Sequence, residues 1–150
     1  MATTAADLVF VDTNILVHAR VSQSPLHSIA ATKVQDLAAA GHALWISRQI
    51  LREYLAVMSK PGIVTVPVPM SALVAEARAL ETRFLIAEDG ATVTSHLLNL
   101  LAAAACAGKQ VHDANIVATM LAHGIPNLLT HNVADFSRFA AYITVIPLIP

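Results

Sequence analysis

Short apolar runs alternate with longer stretches of helical period along the whole chain. Leu8-Val9-Phe10-Val11 is a β-branched and aromatic run of strand length, and it stops at Asp12. A helix is expected from about Asn14, and a second from about Ser28 to Ala40, closed by Gly41. Ala43-Leu44-Trp45-Ile46 reads as the next strand, after which Ser47 can cap a helix from Arg48 to about Ser59, stopped by Pro61-Gly62. Val64 to Pro69 is extended, with prolines that confine it to a loop or an edge. Ser71 then caps a helix carrying Leu73, Ala77, Leu80 and Phe84 on one stripe. Phe84 to Ala87 reads as a short strand, and Glu88-Asp89-Gly90 as a turn.

The second half repeats the alternation. Thr92 or Thr94 opens an alanine-rich helix that runs to Gly108, and Asp113 to His123 forms another, ended by Gly124-Ile125-Pro126. Asn127-Leu128-Leu129-Thr130 and Ile143-Thr144-Val145-Ile146 are the last two strands. Strands that alternate with helices predict an α/β fold: one domain over residues 1–150, with a central parallel sheet of four to five strands flanked by helices. In such sheets ligands bind beyond the carboxyl ends of the strands, where the strand order reverses. Asp12 and the segment Thr130 to Asp135 both follow strand ends, so part of any site is expected there.

Composition narrows the class. Apolar residues make up 56% of the 150 positions and charged residues 13%, against a usual share of about 45–50% and about 25%. Much of the excess is alanine, as in Ala102-Ala103-Ala104-Ala105, which favours close-packed helices over a membrane span. No stretch reaches the roughly 20 uninterrupted apolar residues that a span needs. No basic region precedes an apolar one at the N-terminus, so a secretory signal is not expected. Cys106 stands alone, which removes a disulfide framework and points to a reducing compartment, the cytoplasm.

Against this scarcity of charge, four acids stand at separated landmarks beside hydrophobic sequence: Asp12, Glu53, Asp113 and Asp135. A carboxylate in apolar surroundings is costly unless it is paired or bound to a cation. Taken singly, each has a structural explanation: Asp12 as a helix cap, Glu53 on a solvated helix face, Asp113 in a first turn favoured by the helix dipole, Asp135 in a loop. Convergence on one or two hard divalent ions would account for all four together. The net charge is −1, from nine Lys and Arg against ten Asp and Glu, so overall charge does not advertise nucleic-acid binding. Arg20, Arg48, Arg52, Lys60, Lys109 and Arg138 mostly lie near the acidic landmarks in sequence and can form a basic rim.

The ordered set of Asp12-Thr13-Asn14 after a strand, Ser47 with Glu53, His112-Asp113-Ala114, and Thr130-His131-Asn132-Val133-Ala134-Asp135-Phe136 resembles the PIN-domain ribonucleases, most closely the VapC-type toxins of bacterial toxin–antitoxin pairs. The resemblance runs from about Leu8 to Ile146. It implies an Mg²⁺- or Mn²⁺-dependent endoribonuclease with Asp12, Glu53, Asp113 and Asp135 as catalytic, metal-binding acids. Thr13, Asn14, Ser47, Thr130 and Asn132 would line the pocket. Asn132 stands where many members carry an aspartate, which leaves the fourth ligand open between Asn132 and Asp135, with Asp135 the charged choice. The resemblance further implies an RNA substrate (transfer or ribosomal RNA), a cognate VapB-type antitoxin and a homodimer, with no membrane association. The alternative is a PIN-like module that binds RNA or protein without cutting it. Phosphatases of the haloacid-dehalogenase type want an acid where Asn14 stands, and receivers want a lysine beyond Lys109; the chain has neither. His112 and His131 adjoin the motifs, whereas His18, His27, His42, His96 and His123 show no ligand spacing. Trp45 and Tyr54 read as core rather than as base-stacking platforms.

Overall fold

The computed structural model describes residues 2–150. Five strands form one all-parallel sheet: β1 (Leu8–Val11), β2 (Ala43–Ser47), β3 (Leu85–Ala87), β4 (Asn127–Thr130) and β5 (Thr144–Pro147), in the order β3-β2-β1-β4-β5. Six α-helices connect them: α1 (Thr13–Arg20) and α2 (His27–Ala39) before β2, α3 (Arg48–Met58) and α4 (Met70–Arg83) before β3, and α5 (Ala91–Ala103) and α6 (Gln110–His123) before β4. A 3₁₀ run, Val133–Phe139, links β4 to β5.

The chain winds outward from β1 through β2 to β3, then returns to the other flank of β1 for β4 and β5. Right-handed crossovers make that reversal place α1–α4 on one face and α5–α6 on the other. Helix packing follows the same division, α1 lying against α2 and α3, and α5 against α6. Between the layers, Val9, Phe10 and Val11 of β1 and Leu128 and Leu129 of β4 have no or almost no exposure, with Ile46, Ile50, Ile116 and Phe139 around them. A continuous apolar run is the signature of a strand covered on both faces, and β1 is such a strand.

Most boundaries fall within a residue or two of those read from the pattern. Three do not. The alanine-rich helix opens at Ala91 behind Gly90 rather than at a threonine cap, and Thr94 instead turns its hydroxyl back to the Gly90 carbonyl. It ends at Ala103, well short of Gly108, because Ala104 is extended and the next carbonyl, Ala105, is taken by Arg138 Nη1 at 2.6 Å. Helix α6 starts at Gln110, so Asp113 stands within its first turn but does not open it. Ser71 does not cap α4: the carbonyl of Pro69 accepts from Ala72 and Leu73, and the helix begins at Met70. Gly124 ends α6 as expected, with φ of 66° in the left-handed region that a side chain would strain.

Candidate active site

The strand order reverses between β1 and β4, and the backbone binds there directly: Asp12 N–H donates to the Leu129 carbonyl at 3.0 Å. A cleft of about 460 Å³ opens at this point. Its lining includes all four acids singled out in the sequence, Asp12, Glu53, Asp113 and Asp135, delivered by β1, α3, α6 and the 3₁₀ run. Thr13, Asn14 and Asn132 also line it, and Val17, Val57 and Phe136 make its apolar wall.

Asp12 is the most enclosed of the four, 5% exposed. Its Oδ1 accepts from Thr13 N–H at 2.7 Å; its Oδ2 accepts from Thr130 Oγ1 at 2.7 Å and from Asn14 Nδ2 at 2.9 Å. Burial pushes its carboxyl above the ordinary range, and the Glu53 charge adds to that, while those hydrogen bonds oppose it. Glu53 is gripped at both oxygens, Oε2 by Thr13 Oγ1 at 2.7 Å and Oε1 by Gln49 Nε2 at 2.8 Å. Asp113 is pushed up to about 6, first by partial burial and then by the charges of Asp135, Asp12 and Glu53, with Lys109 pulling the other way. The acids therefore sense one another across the cleft.

Thr130 and Ser47 lie elsewhere than the pocket wall. Thr130 is fully buried behind Asp12, where its oxygen also accepts from Asn14 Nδ2 and Asn132 N–H. Ser47 is fully buried as the cap of α3, accepting from Ile50 N–H, because its position at the end of β2 turns the hydroxyl into the helix it starts. Asn132 and Asp135 both reach the cleft, Asn132 as a neutral neighbour and Asp135 as the charge that Asp113 feels.

Three of the six expected rim residues are spent on structure. Arg20 pairs with Glu76 at 2.7 Å, Arg48 with Glu81 and Glu88, and Arg138 holds the loop after α5. Lys109 is the one lysine or arginine in the cleft lining among the described residues. Of the histidines, His112 lines the cleft as its sequence neighbours suggest, and His18 does so without any such signal. His18 meets His131 edge-on, ring centroids 5.6 Å apart, and burial with the neighbouring imidazole holds His18 below its ordinary value. Tyr54 is core, its hydroxyl donating to Glu76, and Trp45 packs near His123, away from the acids. A second cavity, of about 350 Å³ between α1, α2, α3 and α4, holds a single acid, Glu76, which Arg20 and Tyr54 already satisfy.

The donor set suits a hard cation. It consists of carboxylate oxygens, without thiolates, at a point where partial burial and then mutual repulsion raise one carboxyl to about 6. Among the described residues, no group of three His, Cys, Asp or Glu side chains is gathered tightly enough to hold an ion alone. Asp12 and Glu53 are tied back by their hydrogen bonds, so the acids line an open cleft instead of closing a cage. Such a cleft fits an ion that keeps several waters and takes one or two carboxylates, the habit of Mg²⁺.

A doubly wound parallel sheet with an acid-lined cleft at its switch point defines the chain as an α/β domain. The chain belongs to the PIN domain family, whose model matches residues 9–142. It is similar to Ribonuclease VapC24 of Mycobacterium tuberculosis (strain H37Rv), 28% identical over 131 residues that cover 86% of this chain and 89% of that protein. Among solved structures it resembles the Mycobacterium tuberculosis toxin VapC20, described as cleaving the sarcin–ricin loop, with a TM-score of 0.65 and 20% identity over 93% of this chain and 99% of that one. DNA-bound VapBC from Salmonella typhimurium gives a TM-score of 0.69 at 15% identity, covering 93% and 97%. At such identities the structural likeness speaks for the fold.

Proposed function

We propose that this protein is a divalent-metal-dependent endoribonuclease that acts as the toxin of a toxin–antitoxin pair. The observation that carries the reading is the meeting of Asp12, Glu53, Asp113 and Asp135 in one cleft at the switch point of a PIN domain. Asp12, Glu53, Asp113 and Asp135 would hold Mg²⁺ or Mn²⁺, which when bound supplies an activated water and neutralises phosphate charge. The chain's own groups prepare for this. Thr130, Asn14 and the Thr13 amide keep Asp12 an acceptor despite its burial. Thr13 and Gln49 fix the rotation of the Glu53 carboxylate. Lys109 offers a phosphate a permanent positive charge in the lining, and Val17, Val57 and Phe136 exclude water from one wall.

The substrate is RNA, with transfer or ribosomal RNA the expected class, and a VapB-type antitoxin is the expected inhibitor. A homodimer acting in the cytoplasm completes the proposal; no helix among the described residues is long and apolar enough to cross a membrane. A module that binds without cutting would be expected to lack one of the acids, whereas all four line the cleft.

The test compares wild type with Asp12→Asn on a labelled pool of cellular RNAs, in Mg²⁺, Mn²⁺ or chelator. Cleavage by wild type alone, abolished by chelator, is expected. Equal cleavage by both proteins, or cleavage indifferent to chelator, sinks the proposal.

A further inference from the structure

Gln49 is buried, 5% exposed, yet it is polar and belongs to none of the sequence motifs. Both donor positions of its carboxamide and one acceptor position are taken. Nε2 donates to Glu53 Oε1 at 2.8 Å and to the His112 carbonyl at 2.9 Å; Oε1 accepts from Asn115 Nδ2 at 2.8 Å. Asn115 continues the line to Asp89 Oδ2 at 3.2 Å. The spacing explains the first bond, since Gln49 and Glu53 are four residues apart on one face of α3. The other two cross to α6, on either side of Asp113 in sequence.

We propose that Gln49 is a positioning residue that sets the Glu53 carboxylate and locks its helix to the Asp113 helix, so that the two acids face the cleft in a fixed relation. The inference rests on the metal-dependent reading of the site. Without Gln49 the Glu53 carboxylate keeps only the Thr13 hydroxyl and can rotate about its terminal bond. The His112 carbonyl, immediately before Asp113, loses its tie to α3 at the same time. Partners that orient metal-ligating carboxylates from behind are worth about 10–100-fold in metal affinity when removed.

The experiment measures Mn²⁺ binding by calorimetry to the full chain, beside the melting temperature in chelator. Gln49→Met keeps the length of the side chain and removes all three bonds. Its Kd for Mn²⁺ should rise about 10–100-fold, with kcat for RNA recovering at saturating Mn²⁺ and KM for RNA unchanged. Where Gln49→Met folds poorly by circular dichroism, Gln49→Asn serves: it keeps a buried amide but is one methylene too short to span both helices, and it too should weaken Mn²⁺. A Kd for Mn²⁺ within about twofold of wild type in a folded variant overturns the assignment. Glu53→Gln separates the two levels. Loss of Mn²⁺ binding there, with none in the Gln49 variants, removes Gln49 alone; undiminished binding in Glu53→Gln removes the metal-site reading beneath it.

Discussion

Thr130 Oγ1 donates a 2.7 Å hydrogen bond to Asp12 Oδ2, joining the ends of β4 and β1 inside the protein. The same oxygen accepts from Asn14 Nδ2 at 3.2 Å and from Asn132 N–H at 3.0 Å. One donor and two acceptor positions are thus fully used, and three segments of the cleft hang on one buried hydroxyl. The bond matters most to Asp12, whose charge burial disfavours and this hydroxyl supports.

Thr130→Val tests that dependence with nearly the same shape. It leaves Asn14 Nδ2 and Asn132 N–H without this acceptor and Asp12 without one donor. A loss of about 1–3 kcal/mol in denaturant unfolding is expected. Mn²⁺ binding should also demand a higher pH than in wild type, because the ionised form of Asp12 loses support. Unchanged stability together with an unchanged pH profile would show the bond to be incidental.

The four acids were legible in the sequence because each adjoins an element whose pattern is local: a β-branched strand before Asp12, the Ser47 cap ahead of Glu53, a helical stripe after Asp113, and the strand Asn127–Thr130 ahead of Asp135. The strands were legible for the same reason. What was not legible depends on distant partners. The early end of α5 reflects Arg138 reaching the Ala105 carbonyl, and alanine propensity carries no trace of that. His18 and Lys109 join the cleft only once α1 and the turn before α6 are in place. Gln49 had one local signal, its spacing of four from Glu53, but its bonds to α6 are tertiary. Part of the basic rim was lost in the same way, since Arg20 and Arg48 find carboxylates far along the chain.

Asp113 predicts a pH dependence of the metal-free protein. Its carboxyl is raised to about 6 when folded, from an ordinary 3.8. Between those values the folded chain binds more protons than the unfolded one, so this group's contribution to stability falls as pH rises through the window. Melting in chelator should therefore rise on acidification from pH 7 towards 5, and Asp113→Asn should flatten that response. Mn²⁺ binding should run in the opposite sense and weaken below about pH 6, since the ion competes with the proton. A melting curve indifferent to pH in the wild type would contradict the burial and crowding that raise Asp113.

Gly124 gives a backbone prediction. Its φ of 66° is left-handed, and its N–H bonds back to Met120 and Leu121 to close α6. A Cβ would meet nothing within 4 Å, so the cost of Gly124→Ala is conformational and not steric crowding. About 1–2 kcal/mol of destabilisation is expected by denaturant titration. An effect near zero would mean that the turn relaxes out of the left-handed region.

Glu76 organises a polar cluster away from the acidic cleft. Its Oε1 accepts from Arg20 Nε and Nη2 at 2.9 and 2.7 Å, and its Oε2 from the Tyr54 hydroxyl at 2.7 Å, tying α4 to α1 and α3. Burial pushes the Glu76 carboxyl up, but Arg20 and Tyr54 outweigh it and hold the group below its ordinary value. Glu76→Ala leaves the Tyr54 hydroxyl, on a side chain only 3% exposed, without its acceptor. A loss of about 1–3 kcal/mol follows from stranding that hydroxyl. Combining Glu76→Ala with Tyr54→Phe should cost less than the sum of the two singles, because the second change removes the group the first had stranded. Mn²⁺ affinity of folded Glu76→Ala should stay at the wild-type value, since none of its partners lines the acidic cleft. Strict additivity would show the tyrosine and glutamate to be uncoupled, and weakened Mn²⁺ binding would tie this cluster to the metal site after all.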